Sequence, residues 1–224
     1  MLEVKAVTHQ YDKLTVLKDV SLRVADGECV SLVGASGAGK STLGRLILAL
    51  EKPIKGEVNW NGRPVRAVKR KQLYRDIQPV FQDNTSCFNP RRKIIDSLTE
   101  PLHHLLGLNR TDRERRAGEL LEMTGLPADV LERYPYELSG GQQKRICIAR
   151  AISIRPKFIL LDEAVSGLDA VVMVKILDLL KDLQKEVGCS YLFITHDFGA
   201  AGYMSNKIKS INVNKEDEDE KENI

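Results

Sequence analysis

Cys29-Val30-Ser31-Leu32-Val33 runs directly into Gly34-Ala35-Ser36-Gly37-Ala38-Gly39-Lys40-Ser41-Thr42. The first five residues are apolar and β-branched in the manner of a short buried strand, and a helical pattern starts at Lys40. Glycines between a strand and a helix are the setting that a phosphate-binding loop requires. Gly34, Gly37 and Gly39 permit backbone angles and close approaches that side chains would block. Successive N–H groups of the loop, through Ala35, Ser36 and Ala38, can then converge on a phosphate at the helix N-terminus. Lys40 adds a full positive charge. The Ser41 hydroxyl, followed by Thr42, suits Mg²⁺, which keeps most of its shell as water and phosphate oxygen. A strand, a glycine loop and a helix in this order open an α/β fold with a parallel core sheet.

Working outward, Phe158-Ile159-Leu160-Leu161 is an apolar run that reads as a buried parallel strand, and such strands deliver polar residues at their carboxyl ends. Asp162 and Glu163 therefore emerge beside the phosphates. Their side chains leave a strand end in different directions, which suits two tasks: Asp162 holding a Mg²⁺-bound water and Glu163 polarising an attacking water. Tyr191-Leu192-Phe193-Ile194-Thr195 is a further strand pattern with His196 at its end. A neutral imidazole there can reach a γ-phosphate. A third β-like run, Asp76 to Phe81, ends at Gln82. Leu138-Ser139-Gly140-Gly141-Gln142 precedes a helix-like run, Gln143 to Ser153. Ser139 and the two glycines at that helix start form a second anion site, built from N–H groups, a hydroxyl and the helix dipole.

These runs, in this order and spacing, resemble an ATP-binding cassette, the motor subunit of ABC transporters, over residues 2 to about 213. The resemblance implies an ATPase coupled to transport, with ATP and Mg²⁺ bound. It assigns catalysis to Glu163 and His196, Mg²⁺ ligation to Ser41, Gln82 and Asp162, and the signature that closes over the ATP of a partner cassette to Ser139, Gly140, Gly141 and Gln142. It makes Asp169, in Ser166-Gly167-Leu168-Asp169, a residue that crosses to the opposite subunit, and Tyr11 the aromatic that stacks on adenine. It also implies partners: two transmembrane permease subunits, a second cassette that is a sister chain or a second copy, and a periplasmic or lipid-anchored solute-binding protein reached through the permeases. The place implied is the cytoplasmic face of the cell membrane, as a peripheral subunit.

The Gln82 region narrows the branch. Phe81-Gln82-Asp83-Asn84-Thr85-Ser86-Cys87-Phe88-Asn89-Pro90-Arg91, followed by Glu100-Pro101-Leu102, is similar to the oligopeptide, dipeptide and nickel importers. With Asp162-Glu163-Ala164-Val165-Ser166, Val58-Asn59-Trp60-Asn61-Gly62 and Leu192 to Asp197, the chain is most similar to the second ATPase subunit of the nickel importers. Nickel import is the first reading, with uptake of dipeptides or oligopeptides the alternative. A non-hydrolysing regulatory cassette is opposed by the intact Lys40, Asp162, Glu163 and His196. Residues 1–213 are read as the cassette, with a helical subdomain over about 85–155. Within it, helices are expected at Ile94 to Leu106, Asp112 to Thr124 and Asp129 to Arg133. An antiparallel β layer is expected from residues 2 to 33 and 56 to 66, and a last strand within Lys207 to Val213. The charged run at 214–224 differs from the longer extension usual in this branch and is expected to be disordered.

Composition sets outer limits. Hydrophobic residues make up 42% of 224, enough to fill a core. No run of about 18 apolar residues is present, which excludes a spanning helix. Met1-Leu2-Glu3-Val4 enters a strand pattern directly, so no leader is expected. A net charge of +3 is too mild to imply nucleic acid, and the clusters at Lys69-Arg70-Lys71 and Arg113 to Arg116 face solvent or lipid headgroups. Cys29, Cys87, Cys147 and Cys189 lie far apart without a C-x-x-C pair, as in a reduced cytosolic protein without zinc. His103 and His104, adjacent on a helix, are expected to point apart on a solvated face.

Overall fold

The computed structural model describes residues 1–12, 14–83 and 87–211. Asn84, Thr85 and Ser86 of the importer pattern, the end of the expected last strand, and the acidic run at 214–224 lie outside the described residues. The strands are β1 (Leu2–Tyr11), β2 (Leu14–Val24), β3 (Cys29–Val33), β4 (Lys55–Trp60), β5 (Arg63–Pro64), β6 (Ile77–Val80), β7 (Phe158–Asp162), β8 (Ser190–Thr195) and β9 (Lys207–Ser210). The helices are α1 (Lys40–Ile47), α2 (Arg70–Asp76), α3 (Ile94–Pro101), α4 (Arg110–Met123), α5 (Gly140–Ile152), α6 (Ala170–Val187) and α7 (Phe198–Met204).

Two sheets form. One is antiparallel, in the order β2-β1-β4-β5. The other is parallel, in the order β6-β7-β8-β3-β9. Each central strand of the parallel sheet serves two cores, because alternate side chains leave opposite faces. Phe158 and Leu160 of β7, with Leu192 and Ile194 of β8, join α1 and the antiparallel sheet in one apolar cluster. Ile159 and Leu161, with Tyr191 and Phe193, join α3 to α7 in the other. Continuous burial along β7 and β8 follows, which is why these runs read as uninterrupted apolar stretches.

The helical segment differs from expectation in four places. α4 starts at Arg110 rather than Asp112, because the Asn109 side chain accepts from the Asp112 N–H at 2.9 Å and caps the helix. α5 starts at Gly140, so both signature glycines lie in its first turn. α3 ends at Pro101 and continues as one π-type turn over Leu102–Leu106. Pro101 supplies no N–H to the ladder. Gly107, at φ 75°, then stops the chain, with its N–H on the His103 carbonyl and that of Leu108 on the Leu102 carbonyl. The segment at Ala128–Glu132 is a 3₁₀ turn.

The wider turn also corrects the histidine reading. His103 and His104 are both exposed, but their rings lie only 4.9 Å apart, since a π turn rotates successive residues by less than an α turn does. Two of the cysteines, distant in sequence, meet in space. All four are free thiols, yet the Cys147 thiol hydrogen-bonds Cys87, and that contact, with burial, pushes Cys147 well above the ordinary thiol range.

Candidate active site

The register of the parallel sheet gathers the predicted residues at one edge. Val80 pairs with Leu161, Asp162 with Ile194, and Thr195 with Val33. The residues just beyond those strand ends are Gln82, Glu163, His196 and Gly34, so four strands present their carboxyl ends side by side. A crevice outside such ends is where open α/β sheets bind ligands.

The phosphate loop connects β3 to α1. Gly39 sits at φ 84°, and a Cβ there would lie 2.4 Å from the Val16 carbonyl oxygen and 2.7 Å from Leu17 Cδ2. Only glycine lets β2 and the start of α1 approach this closely. Lys40, 5% exposed, donates from Nζ to the carbonyls of Gly34 and Ala35, each at 2.8 Å. The same Nζ stands 3.9 Å from Glu163 Oε1, while Glu163 Oε2 stands 3.3 Å from His196 Nδ1. Lys40, Glu163 and His196 thus form a continuous polar line. Glu163 adopts φ 49°, a conformation that side chains other than glycine rarely take. Its N–H is held by the Ile194 carbonyl at 2.9 Å, and its carbonyl accepts from Ser166. Such strain concentrates at functional sites, where the surrounding structure sustains it.

Asp162 is buried at the end of β7. Burial raises its carboxyl above the usual range and the Glu163 charge adds to that, while the Ser41 hydroxyl bond and the Lys40 ammonium oppose it. Oδ1 has no hydrogen-bond partner among the described residues. An orphaned, buried carboxylate oxygen beside a serine hydroxyl fits a hard cation such as Mg²⁺, which accepts oxygen ligands and retains waters.

The signature residues have local work as well. The Ser139 hydroxyl caps α5 by accepting from the Gln142 N–H at 3.3 Å, and the Gln142 side chain accepts from the Ser139 N–H at 3.0 Å. This reciprocal box fixes the helix start. Asp169 likewise caps α6, accepting from the Val172 N–H at 3.0 Å. The two helix starts are neighbours: a Cβ on Gly141 would lie 3.3 Å from Val172. Tyr11, 39% exposed at the end of β1, donates its hydroxyl to Glu51 Oε2 at 2.6 Å.

Residues 17–166 match the family model described as ABC transporter. This chain belongs to the ABC transporter family. It is an ATP-binding cassette, whose ATP hydrolysis is coupled to transport. The cassette is 44% identical over 209 residues to the nickel import ATP-binding protein NikE of Shigella sonnei, covering 88% of this chain and 78% of that protein. It is 47% identical over 192 residues to the NikE of Escherichia coli, covering 84% and 71%. Its fold superposes with a TM-score of 0.84 on the ATP-binding cassette MJ0796, solved as a dimer in a post-hydrolysis state with ADP and Pi. The identity there is 32%, over 96% of this chain and 97% of that one. It superposes equally, at 26% identity over 95% and 86%, on cbiO1 from Clostridium perfringens, part of the ABC transporter complex cbiONQ. No helix of the described residues is long and apolar enough to cross a membrane.

Two features of the cassette were not singled out from sequence. Lys144, fully buried within α5, donates from Nζ to the carbonyls of Phe81 and Gln82 at 3.2 and 3.3 Å, and burial holds its ammonium below the usual range. It ties the Gln82 loop to the signature helix. The available signal was a lysine one turn ahead of Cys147 on a face otherwise apolar. The second is a cavity of about 420 Å³ between the sheet edge and α3, lined by Leu50, Tyr74, Phe81, Pro101 and Leu105, with Arg150 at its rim. Arg150 holds α3 to α5 through the Ser97 carbonyl at 3.0 Å and Glu100 at 2.6 Å.

Proposed function

We propose that this cassette powers nickel import through partner membrane permeases. The observation that carries the reading is the 44 to 47% identity to nickel import ATPases over most of both chains. In this reading the phosphate loop from Gly34 to Thr42 and the Lys40 ammonium bind the ATP phosphates, and Tyr11 stacks on adenine. Ser41, Asp162 and Gln82 hold Mg²⁺, which when bound screens phosphate charge as it redistributes. Glu163 orients and polarises the attacking water, and His196, 3.3 Å from Glu163, keeps that carboxylate and the γ-phosphate in line.

Ser139, Gly140, Gly141 and Gln142 serve the ATP of a second cassette, a sister chain or a second copy, and Asp169 faces that partner. Closure on ATP and reopening after hydrolysis drive the permeases. The apolar cavity beside Phe81, between the Gln82 loop and the helices over about 85–155, takes an apolar segment of a permease. The subunit works as a peripheral component at the cytoplasmic face of the membrane, and a solute-binding protein delivers cargo to the permeases from the other side. Disrupting the chain in its host should abolish uptake of ⁶³Ni²⁺ at low external concentration. The intact chain should restore it, and Glu163→Gln should not. Loss of dipeptide uptake with nickel uptake unchanged would overturn the nickel reading in favour of a peptide importer.

A further inference from the structure

We propose that Glu51 is a positioning residue for nucleotide binding, holding the Tyr11 ring in the pose that receives the base. The inference rests on the reading of Tyr11 as the adenine-stacking residue. Glu51 follows α1 through a tight reversal, in which Ala49, at φ 55°, donates to the Leu46 carbonyl and Leu50 donates to that of Arg45. The reversal aims the carboxylate back at the end of β1. Oε2 accepts from the Tyr11 hydroxyl at 2.6 Å and stands 3.3 Å from His9 Nε2. Oε1 stands 3.3 Å from Arg45 Nη1 on α1.

Tyr11 is therefore gripped at two points. Its hydroxyl is tied to Glu51, and the buried His9 ring meets it edge-on, with centroids 5.0 Å apart and planes at 86°. The residue as a whole is still 39% exposed. A tyrosine at a strand end would otherwise sample several rotamers, and stacking on a base would have to select one. Fixing the ring beforehand removes that entropic loss, which for one side chain is worth roughly three- to tenfold in affinity. Because Arg45 belongs to the phosphate-loop helix, the same carboxylate also joins the base-binding residue to the helix that starts at Lys40.

The test is equilibrium binding of Mg·ATP and, separately, of inorganic tripolyphosphate to the full chain and to Glu51→Ala, Glu51→Gln, Tyr11→Phe and Tyr11→Ala. Tripolyphosphate has no base, so a ring-positioning role does not touch it. Glu51→Ala and Tyr11→Phe should each weaken ATP roughly three- to tenfold, leave tripolyphosphate unchanged, and fail to add when combined. Glu51→Gln, which keeps an acceptor for the hydroxyl, should stay within about twofold of the parent. Should Glu51→Ala not fold, Tyr11→Phe removes the same hydrogen bond from the other side and decides the matter. Parental ATP affinity in Tyr11→Phe alongside weakened Tyr11→Ala overturns the role of Glu51 and leaves the stacking role of Tyr11 standing. Parental affinity in Tyr11→Ala overturns the stacking role itself. Equal losses for ATP and tripolyphosphate in Glu51→Ala would mean that Glu51 acts on the fold, and the inference falls.

Discussion

Replacing Gly39 with alanine should destabilise the cassette far more than replacing Gly37. Both residues have positive φ, 84° and 80°, so each alanine meets left-handed backbone strain of about 1–2 kcal/mol. Their surroundings differ. Nothing lies within 4 Å of a Cβ on Gly37, whereas one on Gly39 meets the Val16 carbonyl at 2.4 Å and Leu17 Cδ2 at 2.7 Å. Backbone cannot swing aside as the tip of a flexible side chain can, so β2 and α1 must separate, at a further overpacking loss of about 1–3 kcal/mol. Gly39→Ala should then lose about 2–5 kcal/mol and Gly37→Ala about 1–2, where whole-domain stability is about 5–15 kcal/mol. Urea unfolding of the nucleotide-free chains, followed by circular dichroism at constant m-value, measures both. Equal losses for the two variants, or a loss below about 1 kcal/mol for Gly39→Ala, would refute the steric argument.

Glu163→Gln should bind Mg·ATP as the parent does while phosphate release falls by at least about a hundredfold, the lower bound for losing a positioned base; turnover near the parental rate sinks the role given to Glu163. Ser139→Ala should lose about 1 kcal/mol of stability with its cap. Placed in the Glu163→Gln background, it should also reduce any Mg·ATP-dependent dimer seen by size-exclusion chromatography with light scattering, and an unaltered dimer would count against the signature reading. Asp162 gives a pH prediction. An acid whose pKa is raised in the fold keeps its proton over a window, starting near its ordinary 3.8, in which the unfolded chain has lost it. Stability from this group is therefore greatest at the low end of that window and declines as pH rises through it. Asp162→Asn should make the metal-free chain more stable at pH 7 and flatten that decline in urea titrations; a less stable variant would contradict the burial argument.

Much of the architecture could be read from residues close together in sequence. The strand ending at Val33, the helix opening at Lys40 and the carboxylates after Leu161 each announce themselves within ten residues, because the phosphate loop and buried parallel strands are local patterns. Their convergence is a matter of sheet register, which follows once the runs are parallel. The sequence reading did less well where the partner is distant. Glu51 finds Tyr11 across 40 residues, Lys144 finds Gln82 across 62, and Cys87 meets Cys147 across 60, distances over which spacing carries no information. Boundaries shifted where a side chain outvoted the apolar period, as Asn109 did for α4 and Pro101 for α3. Ser139 and Asp169 carry a further lesson: residues picked out by motif are also helix caps, so a substitution made to test the motif also disturbs a helix start.

The buried ammonium of Lys144 gives the molecule the mechanics of a crank. Phe81 forms part of the wall of the apolar cavity, and its carbonyl, with that of Gln82, is clasped from inside by a side chain rooted in the helix that Ser139 opens. One buried cation thus joins two consecutive carbonyls of the loop to the signature helix. Lys144 lies one turn from Gly140 and Gly141 at the start of α5, so the cavity wall and the N–H groups at that helix start share a single anchoring side chain.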